Sequence, residues 1–201
     1  MRIGKRALTK PFIVGLGGTP KPGSTTEQAL AIALAAAEEA GARTRMFGGD
    51  ALARLPLYLT EGSDTAGAEL IAAVRAADGI ILATPGYHGT VSGAVKNAID
   101  YIEETAKDAR VYLDGLPVGL IVTAYGWQAT GSTLATLRSI VHALRGWPTP
   151  LGAAINTSGG IFRDGECTDP AADNQLRMVG RQVMTFARLH MADPAATETV
   201  G

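Results

Sequence analysis

The sequence predicts an α/β protein: an open, doubly wound five-stranded parallel sheet in the strand order 2-1-3-4-5, with helices on both faces. Three observations carry this expectation. Unbroken apolar runs at 12–16, 79–83 and 117–124 read as strands buried on both faces. Between them lie segments with apolar residues at helical spacing, so strand and helix alternate along the chain. Parallel neighbours require crossovers, and right-handed crossovers are overwhelmingly preferred, which makes 2-1-3-4-5 the simplest order.

The first strand, Phe12-Ile13-Val14-Gly15-Leu16, empties into Gly17-Gly18-Thr19-Pro20-Lys21-Pro22-Gly23-Ser24-Thr25-Thr26-Glu27. A helix over 25–40 follows, with Leu30, Ala33, Leu34 and Ala37 in one stripe and Gly41 as its stop. The run 42–47 alternates and is more polar, as an edge strand would be. Gly48-Gly49-Asp50 then opens a long connection that contains Pro56 and Tyr58, and a second helix is expected from about 65 to 77. The third strand ends in Thr84-Pro85-Gly86-Tyr87-His88-Gly89-Thr90. The helix after it shows Val91, Ala94, Val95, Ala98, Ile99 and Ile102 on one face. Lys96, Asn97, Asp100, Glu103 and Glu104 form its other face, read as solvated or as a subunit contact.

The strand at 117–124 leads through Tyr125-Gly126-Trp127-Gln128-Ala129-Thr130-Gly131-Ser132 into a helix marked by Leu134, Leu137, Val141 and Leu144. Trp147-Pro148-Thr149-Pro150 reads as a break, 151–155 as a short last strand and 158–170 as a loop. A closing helix is expected from about 171 to 190, with Leu176, Val179, Val183 and Phe186 at helical spacing.

At 201 residues the chain suits one domain, expected over 12–190, with flexible tails at 1–11 and 191–201. A net charge of -1 offers no field for nucleic acid or an anionic membrane, so neither is expected as a partner. No apolar run approaches the roughly 20 residues that cross a bilayer, and no signal-peptide core follows the basic N-terminal segment, so the expected location is cytoplasmic. The single cysteine, Cys167, excludes an internal disulfide and a cysteine zinc cluster and reads as an incidental thiol. His142 and His190 lack ligand-spaced partners, and no metal site is expected.

The predicted topology brings the loops 17–26, 84–90 and 123–132 to one edge of the sheet. The first is a phosphate-holding turn, though of neither familiar kind. A dinucleotide fingerprint needs a glycine where Pro20 stands, and a triphosphate loop needs a lysine where Ser24 stands. What remains is the hydroxyl set Thr19, Ser24, Thr25 and Thr26 beside helix N-terminal amides, which suits one terminal phosphate without magnesium. Ser24 with Glu27 is equally a capping box, and the serine's two roles can coexist. Strand ends without carboxylates disfavour phosphoryl transfer, and no Gly-x-Ser-x-Gly elbow occurs. The second loop suits a planar ring: Gly86 and Gly89 would admit it, backbone amides over 84–90, from Thr84 on, would bond its heteroatoms, and Tyr87 would stack on it, cover the sheet edge or be buried in an oligomer contact. His88 reads as an exposed loop histidine.

At this point the motifs resemble a family. Gly17-Gly18-Thr19 with Gly23-Ser24-Thr25-Thr26, the whole run 84–101, and Gly126, Gly131-Ser132, Leu137-Arg138 and Val141 are similar to the NADPH-dependent FMN reductases, over 12 to about 189. The resemblance implies a flavodoxin-like fold with the FMN phosphate on Thr19, Ser24, Thr25 and Thr26. Lys21 stands where the family commonly carries arginine, without that residue's planar fork. The isoalloxazine would lie against Pro85, Gly86, Tyr87 and His88, with Thr123, Tyr125 and Gly126 closing the far side. No side chain is assigned a catalytic role, since the implied chemistry is hydride transfer from NADPH or NADH to FMN N5 and on to free flavin, a quinone or another small acceptor. The alternatives are an FMN-dependent quinone or azo reductase, or an FMN-binding electron carrier that does not turn over nicotinamide. A homodimer or homotetramer and a flavin-dependent monooxygenase partner are further implications of the resemblance.

Overall fold

The computed structural model describes residues 10–60, 65–163 and 165–192. In chain order its elements are β1 (Phe12–Gly17), α1 (Thr25–Glu39), β2 (Arg43–Phe47), α2 (Gly49–Arg54), α3 (Thr65–Ala76), β3 (Gly79–Tyr87), β4 (Thr90–Val91) and α4 (Gly93–Asp100). A 3-10 turn over Tyr101–Thr105 follows, then β5 (Pro117–Ala124), α5 (Trp127–Ala143), β6 (Trp147–Asn156), β7 (Phe162–Arg163), β8 (Glu166–Cys167) and α6 (Pro170–Ala192).

Among the described residues, five strands pair in parallel in the order β2-β1-β3-β5-β6, the expected topology, and β4 adds an antiparallel arm to β3. Alternation along the strands builds two cores. Val14, Leu16, Ile80, Leu82, Val118, Leu120 and Val122 face α3, α4 and α5, which contribute Leu70, Val74, Val95, Ile99, Leu137 and Val141. Ile13, Ile81, Ala83, Ile121, Ala153 and Ile155 face α1 and α6, which contribute Leu30, Ala33, Leu176, Val179 and Val183. Helices therefore cover both faces. Helices α1 and α6 approach so closely that a Cβ on Gly180 would sit 2.0 Å from Ala33 O.

Several boundaries differ from expectation, each for a physical reason. Trp147-Pro148-Thr149-Pro150 is not a break but the start of β6. Among the described residues this edge strand pairs only with β5, so its prolines withhold no N–H that the sheet requires. A register shift between Val118 and Leu120 absorbs the extra residues. Helix α5 begins at Trp127, within the stretch expected as a turn. The long connection after β2 holds α2, and the expected loop 158–170 holds the β7–β8 hairpin.

Asn97, expected on a solvated face, instead clamps the connection onto α4: its Oδ1 accepts from Tyr58 N–H at 2.8 Å and its Nδ2 donates to Pro56 O at 2.7 Å. Lys96 and Asp100 form an exposed ion pair. The flexible tails expected at 1–11 and 191–201 lie almost entirely outside the described residues. At their inner ends Pro11 is buried, with its carbonyl accepting from Arg43 N–H, and residues 191 and 192 complete α6. No helix among the described residues is long and apolar enough to cross a membrane.

Candidate functional site

Strands β1, β3 and β5 end on one edge, and the loops that leave them border an open cleft of about 610 Å³. The first loop must turn sharply as it leaves β1. Gly17 has φ +150, and a Cβ there would lie 1.8 Å from Ala83 O, so only glycine fits between this strand and β3. Thr19, Lys21, Ser24, Thr25 and Thr26 all line the cleft. Thr19 Oγ1 holds the loop's start by accepting from Lys21 N–H and donating to Lys21 O, each at 3.2 Å.

Ser24 is the N-cap of α1, its Oγ accepting from Glu27 N–H at 3.3 Å. That leaves its own proton to donate outward, so cap and ligand contact are compatible in one hydroxyl. The N–H groups of Thr25 and Thr26, in the first helical turn, find no acceptor among the described residues. Thr26 Oγ1 and Thr123 Oγ1 share a buried hydrogen bond of 2.6 Å that ties the start of α1 to the end of β5. Among the described residues lining the cleft, Lys21 carries the only formal charge. Free amides, hydroxyls and one cation are the donor set that an anion would need.

Glu27 does not close the expected capping box. Its carboxylate reaches past Ser24 to Gly23 N–H, 2.6 Å, and across to Gly49 N–H, 3.2 Å.

The opposite wall is a hairpin the sequence reading did not foresee. Gly86 pairs with Val91 and Tyr87 with Thr90, leaving His88 and Gly89 as a two-residue loop with φ +51 and +84. Positive φ at both positions is the type I′ geometry that suits the twist of a hairpin. His88-Gly89 between strand-like residues was the available signal. Pro85, Gly86, Tyr87, His88 and Gly89 line the cleft, Tyr87 being 53% exposed. Gly86 is required for a different reason than expected, because a Cβ there would meet Thr133 Oγ1 at 2.9 Å and Ala129 O at 3.2 Å, on α5. Thr84 is fully buried, donating to Pro85 O and accepting from Ser92 N–H, and does not line the cleft.

Thr123 and Tyr125 form the third wall, with Tyr125 85% exposed at the rim. Gly126 stands behind it as the N-cap of α5, its N–H donated to Asn156 Oδ1 at 3.1 Å. Ala129 and Thr157 also line the cleft and went unnoticed in the sequence. The doubly wound topology held a signal for Thr157, since β6 must deliver its C-terminal end to the same edge.

A family model described as NADPH-dependent FMN reductase matches residues 11–159. The chain belongs to this family. Among curated relatives, the FMN-dependent NADPH-azoreductase of Staphylococcus haemolyticus is 40% identical over 85 residues, 42% of each chain. The NADPH azoreductase of a Bacillus species is 31% identical over 124 residues, 60% of this chain and 65% of that one. The matches thus span less than two thirds of these relatives' lengths. Solved structures share the fold at low identity. The NAD(P)H:(acceptor) oxidoreductase of Paracoccus denitrificans superposes on this chain with a TM-score of 0.69 at 19% identity, over 90% of this chain and 98% of that one. A WrbA-like flavodoxin of Agrobacterium tumefaciens gives 0.63 at 20% identity, over 90% and 99%. The fold is flavodoxin-like.

Proposed function

We propose that the protein is an NAD(P)H-dependent FMN reductase that passes electrons to free flavin, a quinone or another small acceptor. The observation that carries this is the cleft itself. An anion end, with the unpaired Thr25 and Thr26 amides, hydroxyls and Lys21, is continuous with a wider end walled by a hairpin and two exposed tyrosines. The residues fit FMN: donors and no carboxylate among the residues lining one end, aromatic and small residues at the other, and a volume within the roughly 300–1,000 Å³ usual for cofactor sites.

Ser24, Thr25, Thr26 and Lys21 would hold the phosphate by donating hydrogen bonds or charge. The hairpin at residues 85–89 and the rim at Thr123 and Tyr125 would flank the ring, excluding water from one side and leaving the mouth open to a second planar molecule. When bound, the flavin supplies the redox chemistry, two-electron uptake from a reduced nicotinamide and delivery to an acceptor. The chain's own contribution is binding, orientation and exclusion of water.

Azo reduction is favoured as a second reading by the two azoreductase relatives. A net charge of -1 weighs against a dedicated electron carrier, which would need a charged docking field. The exposed rim tyrosines support assembly into a homo-oligomer across this edge, and a nicotinamide-consuming enzyme with one free thiol fits a cytoplasmic location. The test is an absorbance spectrum of the protein titrated with FMN, followed by NADPH oxidation with free flavin, quinone and azo dye in turn. Saturable FMN binding and turnover with at least one acceptor are expected; absence of flavin binding would overturn the reading, and binding without turnover would leave a carrier.

A further inference from the structure

The phosphate end of the cleft is held from behind by one carboxylate. Glu27 lies in the first turn of α1, beside the proposed seat of a phosphate, where a negative charge opposes anion binding by simple Coulomb repulsion. Its two oxygens are turned away to backbone amides instead, Oε2 to Gly23 at 2.6 Å and Oε1 to Gly49 at 3.2 Å. The next peptide plane is gripped too, because Gln28 Nε2 donates to Gly23 O at 2.8 Å.

Gly48 and Gly49 make the seat for this arrangement. A Cβ on Gly48 would lie 2.2 Å from Glu27 Oε1, and one on Gly49 would meet Pro22 Cα and N at 2.8 Å and Lys21 C at 2.9 Å. Residues 21–23 therefore rest directly on the corner between β2 and α2.

We propose that Glu27 is a positioning residue for FMN. It bridges the loop after β1 to the Gly48-Gly49 corner and so fixes the peptide planes that present Ser24 and the first amides of α1 to the phosphate. The inference rests on the FMN reading of the cleft. Charge-assisted hydrogen bonds donated by two backbone amides to one carboxylate are strong enough to hold a short glycine- and proline-rich loop in one conformation. Loss of the bridge releases the loop, and the penalty falls on the phosphate end alone.

The experiment compares FMN with riboflavin, which lacks the phosphate, by flavin fluorescence quenching on the whole chain, with thermal melting alongside. In Glu27→Ala, FMN affinity is expected to fall about tenfold while riboflavin affinity is unchanged. Glu27→Gln, which keeps one acceptor oxygen, should lie between this variant and wild type. Gly48→Ala displaces the carboxylate without altering α1 and should lower the FMN-to-riboflavin ratio in the same direction, which keeps the test available if Glu27→Ala does not fold. Equal losses for both flavins would reduce Glu27 to a stability residue and overturn the proposal. So would tighter FMN binding in Glu27→Gln, the outcome if repulsion dominates. Wild type that binds neither flavin would fail earlier, at the FMN reading itself.

Discussion

At the scale of the residue, Ser24 caps α1 and, in the proposed reading, also holds the ligand through the same hydroxyl. Its cap bond to Glu27 N–H is long at 3.3 Å, so the cap is a modest one, and the hydroxyl proton remains available. Two substitutions separate the roles. Ser24→Ala should cost about 0.5–1 kcal/mol of stability and weaken FMN. Ser24→Asp keeps an acceptor for the cap and favours the helix dipole, yet sets a negative charge against the phosphate. Its melting temperature should match wild type while FMN affinity falls at least about tenfold; wild-type FMN affinity in Ser24→Asp would show that the serine is only a cap. Cys167 gives a second prediction. Burial pushes its thiol up, and the charges of Asp173 and Asp169 act in the same direction, outweighing the backbone hydrogen bonds that pull it down. A raised thiol pKa means less thiolate at neutral pH. Iodoacetamide should therefore label native Cys167 more slowly than a free cysteine at pH 7, with the gap closing as pH rises and vanishing in denaturant. Labelling at the free-thiol rate in the native protein would contradict this.

At the scale of the element, the glycines of the helices divide into two kinds. Gly180 on α6 is where α1 crosses, and the 2.0 Å approach of a Cβ to Ala33 O leaves no side chain that could give way. Gly180→Ala should destabilise by about 2 kcal/mol or more, through separation of the two helices. Gly131 on α5 has nothing within 4 Å of its Cβ position, so Gly131→Ala should stabilise by about 0.5–1 kcal/mol. Chemical denaturation of the two variants checks both signs, and the same sign for both would refute the packing account. The sequence cannot assign these roles: it reads Gly131 as part of the turn before α5 and gives no sign that Gly180 is pressed by another helix, which only the crossing of α1 and α6 reveals. The same limit explains Gly86, legible as a small residue at the site but not as one pressed by Thr133 and Ala129 of α5. Helix C-termini carry a similar hidden partner. Arg110 donates to the carbonyls of Val74, Arg75 and Ala77 at the end of α3, across more than thirty residues of sequence.

At the scale of the whole molecule, what was legible follows from periodicity. Residues 12–16, 79–83 and 117–124 announce buried parallel strands, and those strands fix which loops meet, while the family resemblance supplied several of the cleft's lining residues, among them Thr123 and Tyr125. What was not legible depends on contacts between side chains and distant backbone. Glu27 on Gly49, Asn156 on Gly126 and Asn97 on Tyr58 leave no pattern, because a backbone amide looks the same at every position. These contacts also make the cleft part of the sheet rather than an appendage. Thr26 and Thr123 join α1 to β5 at its floor, and the two cores on opposite faces share the same central strands. Ligand binding at this edge should therefore couple to unfolding of the whole chain. The apo protein should melt in a single transition, and FMN at 100 times its Kd should add about 2.7 kcal/mol, or about 5–11 °C in Tm for a chain of this size. Riboflavin at the same concentration should shift Tm less, because it leaves the amides of Thr25 and Thr26 and the charge of Lys21 without a partner. Two separated transitions in differential scanning calorimetry, with FMN moving only one of them, would show that the cleft melts apart from the sheet.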